Sequence, residues 1–309
     1  NEYSYVIDAV KEAVEIGRQA EIPVLISHHK IGGKNNLGKS IDTLKLIDEA
    51  NKEGIEVSLD QYPYSASCTY LSIHIPPEYH EGGNERLIQR LKNKNTLDNI
   101  KKRMLNENGA WENPAKLIGF ENVLIIAADK TPEIVGKTIG DFAKKHNLDP
   151  YEVMFKVLVD NDANVLAANF GFNEEDIENI MRYPYTMIGT DGILAGEGKI
   201  IHPRATATFP RVLGRYVRER GVIRLEEAIR KMTSLPAQKA RLKNKGLIKE
   251  GFDADLVIFD PDQIIDTATY TDPYSKNIGF KYVIVNGVIS MIDNEFTGSS
   301  AGKVIRLKR

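Results

Sequence analysis

Ile22-Pro-Val-Leu-Ile-Ser-His28-His29-Lys30 is a short apolar run that ends in three basic side chains. Ile55-Glu-Val-Ser-Leu59-Asp60-Gln-Tyr62-Pro63-Tyr64 repeats the pattern, closing on a carboxylate and two phenols. Short runs of Val, Ile and Leu bounded by polar residues read as strands. Ahead of the first run, Val6, Ile7, Val10, Ala13, Val14 and Gly17 recur at helical spacing. Between the runs lie the Gly-rich loop 31–38 and a second helical stretch, 41–51, with Ile41, Leu44, Leu46, Ile47 and Ala50 as its apolar residues and Gly54 as a C-cap. Helix, strand, helix, strand is the order that builds an α/β fold with a parallel sheet.

That rhythm breaks from about 65 to 182. Pro76-Pro77, Gly82-Gly83 and the charged helical run 84–108 read as an excursion over a surface, with a strand at 122–127 and helices at 139–146 and 150–159. It resumes at Tyr185-Thr-Met-Ile-Gly-Thr190-Asp191-Gly192. A loop holding His202-Pro-Arg204 then leads to 209–220, to a helix at 225–233, and to one more opened by Pro236, whose missing N–H costs little there. From Gly246 the texture becomes β, and Val283-Ile-Val285 followed by Asn286-Gly287 signals a hairpin. The expected organisation is a unit over 1–245 with an insertion at about 65–182, and a small β unit over 246–309.

The chain has 309 residues, and 41 Lys+Arg against 43 Asp+Glu give a formal net charge of −2. Such a balance argues against a nucleic-acid binder, which carries a basic excess or a basic face. Its apolar runs are far shorter than the roughly 18 residues of a membrane span. A single cysteine, Cys68, excludes an internal disulfide and fits a reducing cytosol. No basic-plus-apolar targeting stretch is present among the opening residues, so a cytoplasmic setting is expected.

In parallel α/β sheets ligands gather where strands end, and three runs here end in reactive groups: His28/His29/Lys30, Asp60/Tyr62 and Asp191. Strand alternation puts His28 and Lys30 on one side and His29 on the other. His28 can offer a neutral imidazole to a divalent metal, or the pair can be one core and one solvated histidine. Lys30 suits an anionic substrate group, or is a solvated loop lysine. Asp191, between Gly189 and Gly192, can take a proton from metal-bound water or cap the following turn. Tyr62 and Tyr64 either pack or face a ligand, and Arg204 either forks onto a carboxylate or lies at the surface. His74, His80 and His146 are assigned no chemistry, and Cys68 reads as a small thiol. The sequence holds no phosphate loop, dinucleotide fingerprint or nucleophile elbow.

Taken in order, Ser27-His-His-Lys30, Asp60-Gln-Tyr-Pro-Tyr64, Gly189-Thr-Asp-Gly192, His202-Pro-Arg204 with Thr208-Phe-Pro-Arg-Val-Leu-Gly214, and Gly251-Phe-Asp-Ala-Asp-Leu-Val-Ile-Phe-Asp260 resemble the second half of the N-acyl-D-amino-acid deacylases. These D-aminoacylases are a branch of the metal-dependent amidohydrolase superfamily. The resemblance implies a (β/α)8 barrel beside a small β-sandwich, with the barrel incomplete in this chain. It also implies zinc bound by His28, a substrate carboxylate held by Lys30, Tyr62 and Arg204, and Asp191 as general acid/base. The family's fifth strand ends in a His-x-Arg-x-Glu motif, and Asn1-Glu2 resembles its last two residues. The remaining zinc ligands are therefore expected upstream of Asn1.

The function expected on this resemblance is hydrolysis of N-acyl-D-amino acids to a carboxylate and a D-amino acid, once the missing part of the barrel is supplied. Two alternatives stand beside it. One is a hydantoinase- or dihydroorotase-like hydrolase of cyclic amides, which the cations Lys30 and Arg204 disfavour. The other is a non-catalytic remnant or binding module. An open barrel edge is also expected to pair with the missing half or with another chain.

Overall fold

The computed structural model describes residues 1–106, 111–193 and 201–306. The first helix, α1 (Val6–Ala20), buries Val6, Val10, Val14 and Gly17 along one face. Gly17 is required there: a Cβ would lie 2.6 Å from Val24 Cγ2, so only glycine lets the helix close on strand β1 (Val24–Ile26). Helix α2 (Ser40–Lys52) returns the chain to β2 (Val57–Gln61). Val10, Val14, Ile47, Ala50, Val57 and Leu59 form the core between these helices and strands.

The excursion is a folded body with its own sheet. Strand β3 (Ala66–Tyr70) is followed by helices α3 (Gly83–Lys92), α4 (Lys94–Leu105) and α5 (Pro114–Ile118), strand β4 (Val123–Ala127), helices α6 (Ile139–His146) and α7 (Pro150–Asp160), and β5 (Leu166–Phe170). The three strands run antiparallel in the order β3-β5-β4. Leu71, Leu87, Ile100, Met104, Ile125, Met154 and Leu158, all fully buried, lie in one core beneath them. The charged run expected as one helix is two, because Asn93 takes an extended backbone and caps α4 by accepting the Thr96 N–H.

Helix α8 (Glu174–Arg182) leads into β6 (Thr186–Ile188), which pairs with β2 in parallel, giving the parallel order β1-β2-β6. A buried carboxylate links the layers: Asp176 of α8 accepts the Gly38 N–H (2.8 Å) and the Ser40 N–H (3.1 Å), capping α2 from another helix.

Arg204, expected in a loop, instead begins helix α9 (Arg204–Arg211), which continues as a π-helix over Val212–Glu219. Pro210 lies inside α9 and has no N–H to give the Thr206 carbonyl; Asn277 Nδ2 satisfies that oxygen at 2.9 Å. Helices α10 (Leu225–Met232) and α11 (Ser234–Lys239) follow. The C-terminal strands β7 (Leu256–Phe259), β8 (Phe280–Val285), β9 (Val288–Ile292) and β10 (Glu295–Phe296) form one antiparallel sheet in the order β10-β9-β8-β7. Asn286 and Gly287 join β8 to β9 with φ of 48° and 78°, the left-handed pair a type I′ hairpin needs.

Candidate functional site

Strand β1 stops at Ile26, so the three basic residues that follow are not on a strand. His28 takes a left-handed backbone, φ 44°, which reverses the side-chain sequence. Simple alternation was therefore the wrong reason for a correct pairing. His28 Nδ1 and Lys30 Nζ lie 2.7 Å apart, while His29 turns into the core, its Nε2 3.0 Å from Thr43 Oγ1. Burial holds the His29 imidazole down to about 4, neutral at physiological pH.

Lys30 is only 8% exposed, which removes the solvated-loop reading. Its ammonium donates to Glu2 Oε1 at 2.7 Å and lies 5.2 Å from the centre of the Tyr62 ring. Burial lowers the Lys30 pKa, and the Glu2 carboxylate opposes that shift. Glu2 Oε1 is also 3.3 Å from His28 Nδ1, so one carboxylate faces both groups.

Tyr62 and Tyr64 leave β2 on either side of Pro63, and both rings are buried. The Tyr64 hydroxyl donates to the Pro203 carbonyl at 3.4 Å, and its ring meets His202 edge-on at 5.1 Å, which makes it a packing residue. The Tyr62 hydroxyl is buried with no protein partner, and burial raises its pKa well above the ordinary tyrosine value.

Arg204 is 3% exposed, against the surface reading. Its guanidinium stacks 4.5 Å from the Tyr62 ring centre, and its Nη2 reaches Asp191 Oδ2 at 3.0 Å and the Cys68 carbonyl at 3.4 Å. Its Nε is a buried donor without a partner. His202 fixes the start of α9: Nδ1 accepts the Arg204 N–H and Nε2 reaches the Ala66 carbonyl, each at 3.0 Å. Burial, assisted by the Arg204 charge, pushes this imidazole down to about 3.

Asp191 follows β6 with φ 46°. Among the described residues the cap of this turn is Thr190 Oγ1, which accepts the Gly192 N–H at 3.2 Å.

His28, Lys30, Tyr62, Asp191 and Arg204 thus line one cleft of about 280 Å³, together with Glu2, Cys68 and Asn169 among others. The last three were not singled out as site residues from sequence. Glu2 had a signal, its place in the motif fragment Asn1-Glu2. Asn169 had none: it stands on β5, whose Oδ1 sits 2.9 Å from the buried His74 Nε2. Cys68 enters on β3, and burial raises its thiol to about 11. Among the described residues no group of three or more His, Cys, Asp or Glu side chains is placed to hold a metal ion. His28 is the imidazole that lines the cleft.

Residues 138–291 match the model of the Amidohydrolase family. The chain carries an amidohydrolase-family domain. Within that family it is 33% identical over 305 residues to a D-aminoacylase of Alcaligenes xylosoxydans xylosoxydans, covering 99% of this chain and 53% of that protein. A D-aminoacylase crystal structure superposes with a TM-score of 0.77 at 33% identity, covering 98% of this chain and 54% of the other. The N-acyl-D-glutamate deacylase of Bordetella bronchiseptica, complexed with zinc and a phosphonate mimic of the tetrahedral intermediate, gives 0.72 at 31% identity, covering 94% and 51%. The chain spans about half the length of the curated relatives it matches.

Proposed function

We propose that this chain supplies the carboxylate clamp, one metal ligand and the general acid/base of a zinc-dependent deacylase of N-acyl-D-amino acids. The observation that carries this reading is the pair of buried donors without protein acceptors, Tyr62 Oη and Arg204 Nε, set beside Lys30 in one cleft. Each unpaired buried donor costs about 1–3 kcal/mol, and the carboxylate of an entering N-acyl amino acid would recover part of that cost. Lys30 supplies charge and Arg204 a planar fork. N-acyl-D-glutamate and N-acyl-D-aspartate, on which two of the relatives act by name, have that carboxylate.

Zinc, when bound, supplies a water activated at neutral pH and a polarised amide carbonyl. His28 would hold it together with ligands from outside the described residues. Ligation through Nε2 has one condition: Nδ1 must then carry the ring proton, so its 2.7 Å contact with the Lys30 ammonium has to open, leaving Glu2 Oε1 at 3.3 Å as the acceptor for that proton. Asp191 takes the proton of the attacking water and returns it to the leaving amine nitrogen, with Arg204 holding its carboxylate at 3.0 Å.

In architecture, we read β1-β2-β6 as part of a (β/α)8 barrel within 1–245, carrying the insertion 65–182, and 246–309 as strands of a small β-sandwich. The support is the parallel pairing, in which β1 and β6 each have a single neighbour among the described residues, whereas a closed barrel has no edge. The setting proposed is the cytoplasm. No helix among the described residues is long and apolar enough to cross a membrane.

The test is complementation. The full chain is mixed with the part of the Alcaligenes D-aminoacylase that it does not match, zinc is added, and release of D-amino acid from N-acetyl-D-amino acids is followed. Release that disappears in Asp191→Asn is the expected result. No release from any N-acyl-amino acid, with no binding of N-acetyl-D-amino acids to the chain by calorimetry, would overturn the reading.

A further inference from the structure

The turn that presents His28 is held by a residue with no role in the chemistry described above. Asp60, the penultimate residue of β2, sits in the middle strand of the parallel sheet, between β1 and β6. Its Oδ1 accepts the His28 backbone N–H at 2.6 Å, and its Oδ2 accepts the Ser27 hydroxyl at 2.9 Å. Its backbone carbonyl accepts the His29 N–H at 2.8 Å. Three consecutive residues of the β1 exit are therefore fastened to one residue of the neighbouring strand. The residue in the centre of those three, His28, is the one with φ 44°. A non-glycine residue is strained in that conformation, and backbone strain of this kind persists only where surrounding bonds impose it.

We propose that Asp60 is the positioning residue of His28: its carboxylate holds the β1 exit in the left-handed turn that sends the His28 ring into the cleft and the His29 ring into the core. The proposal deepens the reading of His28 as a metal ligand and rests on it for its functional consequence, but the geometry is independent of any metal. Without the carboxylate, the β1 exit relaxes toward ordinary backbone, and the His28 ring leaves Lys30 and Glu2.

The full chain, labelled with ¹³C,¹⁵N-histidine, tests this directly. Its six histidines give six ring signals, and His28→Ala identifies one of them. In Asp60→Ala the His28 signal is expected to collapse toward the free-histidine position, while those of the buried His74 and His202 stay in place. Ser27→Ala, which removes only the hydroxyl bond, should leave the His28 signal where it was. Should Asp60→Ala unfold the chain, moving all six signals, Asp60→Leu decides: it fills the space of the carboxylate with no acceptor, and it predicts the same collapse of the His28 signal. A His28 signal unmoved in Asp60→Ala, or in Asp60→Leu where that variant decides, would overturn the proposal.

Zinc titration of the chain complemented by the missing part of the barrel, against a chromophoric chelator, separates the two readings. If His28 is a ligand, zinc affinity falls at least tenfold in His28→Ala and in the folded Asp60 variant alike. Equal zinc affinity in the wild type and His28→Ala would remove the ligand reading, leaving the ring signals to judge Asp60. A fall in His28→Ala with none in the folded Asp60 variant would count against the proposal.

Discussion

Protonation of His202 should dismantle the Arg204 end of the cleft, and the size of the effect follows from the geometry. The ring is buried, and its two nitrogens are both committed, Nδ1 as acceptor from the Arg204 N–H and Nε2 as donor to the Ala66 carbonyl. A second ring proton would have to point at an N–H. The folded-state value is about 3 against an ordinary 6.5, so the unfolded chain takes up the proton first as pH falls. A lowered histidine value means stability is intact above pH 6.5 and is lost progressively from there down to about 3. At about 1.4 kcal/mol per pH unit, the His202 share of that loss between pH 7 and pH 5 is roughly 2 kcal/mol. Urea unfolding of wild type and His202→Gln at both pH values isolates it, because the other titrations cancel in the difference. Gln keeps a donor for the Ala66 carbonyl but cannot titrate. The wild-type advantage should shrink by roughly 2 kcal/mol from pH 7 to pH 5. An advantage constant to within about 0.5 kcal/mol, well inside that expectation, would refute the account of His202 as a neutral, doubly bonded ring.

Tyr62→Phe removes a hydroxyl that has no protein partner, so thermal stability should hold or rise slightly; affinity for an N-acetyl-D-amino acid should fall about tenfold, the loss of one hydrogen bond to a charged group, as calorimetry would show. Glu2→Gln leaves the Lys30 ammonium, 8% exposed, without its carboxylate; urea unfolding should show a loss of about 1–2 kcal/mol, largely restored by adding Lys30→Met. Gly279→Ala places a Cβ 2.6 Å from Ile264 Cα at φ +92°, and the thermal midpoint should drop by the equivalent of about 3 kcal/mol or more, since backbone cannot yield there.

Periodicity and turn chemistry exposed the parallel strands, most helices and the Asn286-Gly287 hairpin, because those signals are local. Strands β3 and β5 were not legible: Ala66-Ser-Cys-Thr-Tyr70 and Leu166-Ala-Ala-Asn-Phe170 have small residues and little alternation, and gain strand character only by pairing with each other across about a hundred residues. The helix begun by Arg204 reads as a loop in the sequence; Pro210 interrupts its hydrogen bonds, and the compensation by Asn277 lies 71 positions from Thr206. In the site, the residue types announced Lys30, Tyr62 and Arg204 as candidates. Their burial, which decides between a solvated surface and a clamp, is a tertiary property. Asp60 stood in a quoted motif, yet the bonds that give it meaning run to a different strand.

His28 and Asp191 share a feature that joins these observations. Each follows a strand of the parallel sheet, and each has a left-handed backbone, φ 44° and 46°. A strand continued for the two residues to His28 or the three to Asp191 would alternate its side chains between the faces of the sheet. A left-handed residue breaks that alternation and turns the side chain over the strand end instead. The strain is opposed on both sides by charge-assisted bonds from the neighbourhood, Asp60 to the His28 N–H and Arg204 to the Asp191 carboxylate. The two groups assigned opposite duties, one toward metal and one toward protons, therefore reach a common cleft by the same backbone device. That device, more than either residue type, explains why ordinary strand reading placed the groups correctly at strand ends but gave the wrong reason for the direction in which His28 points.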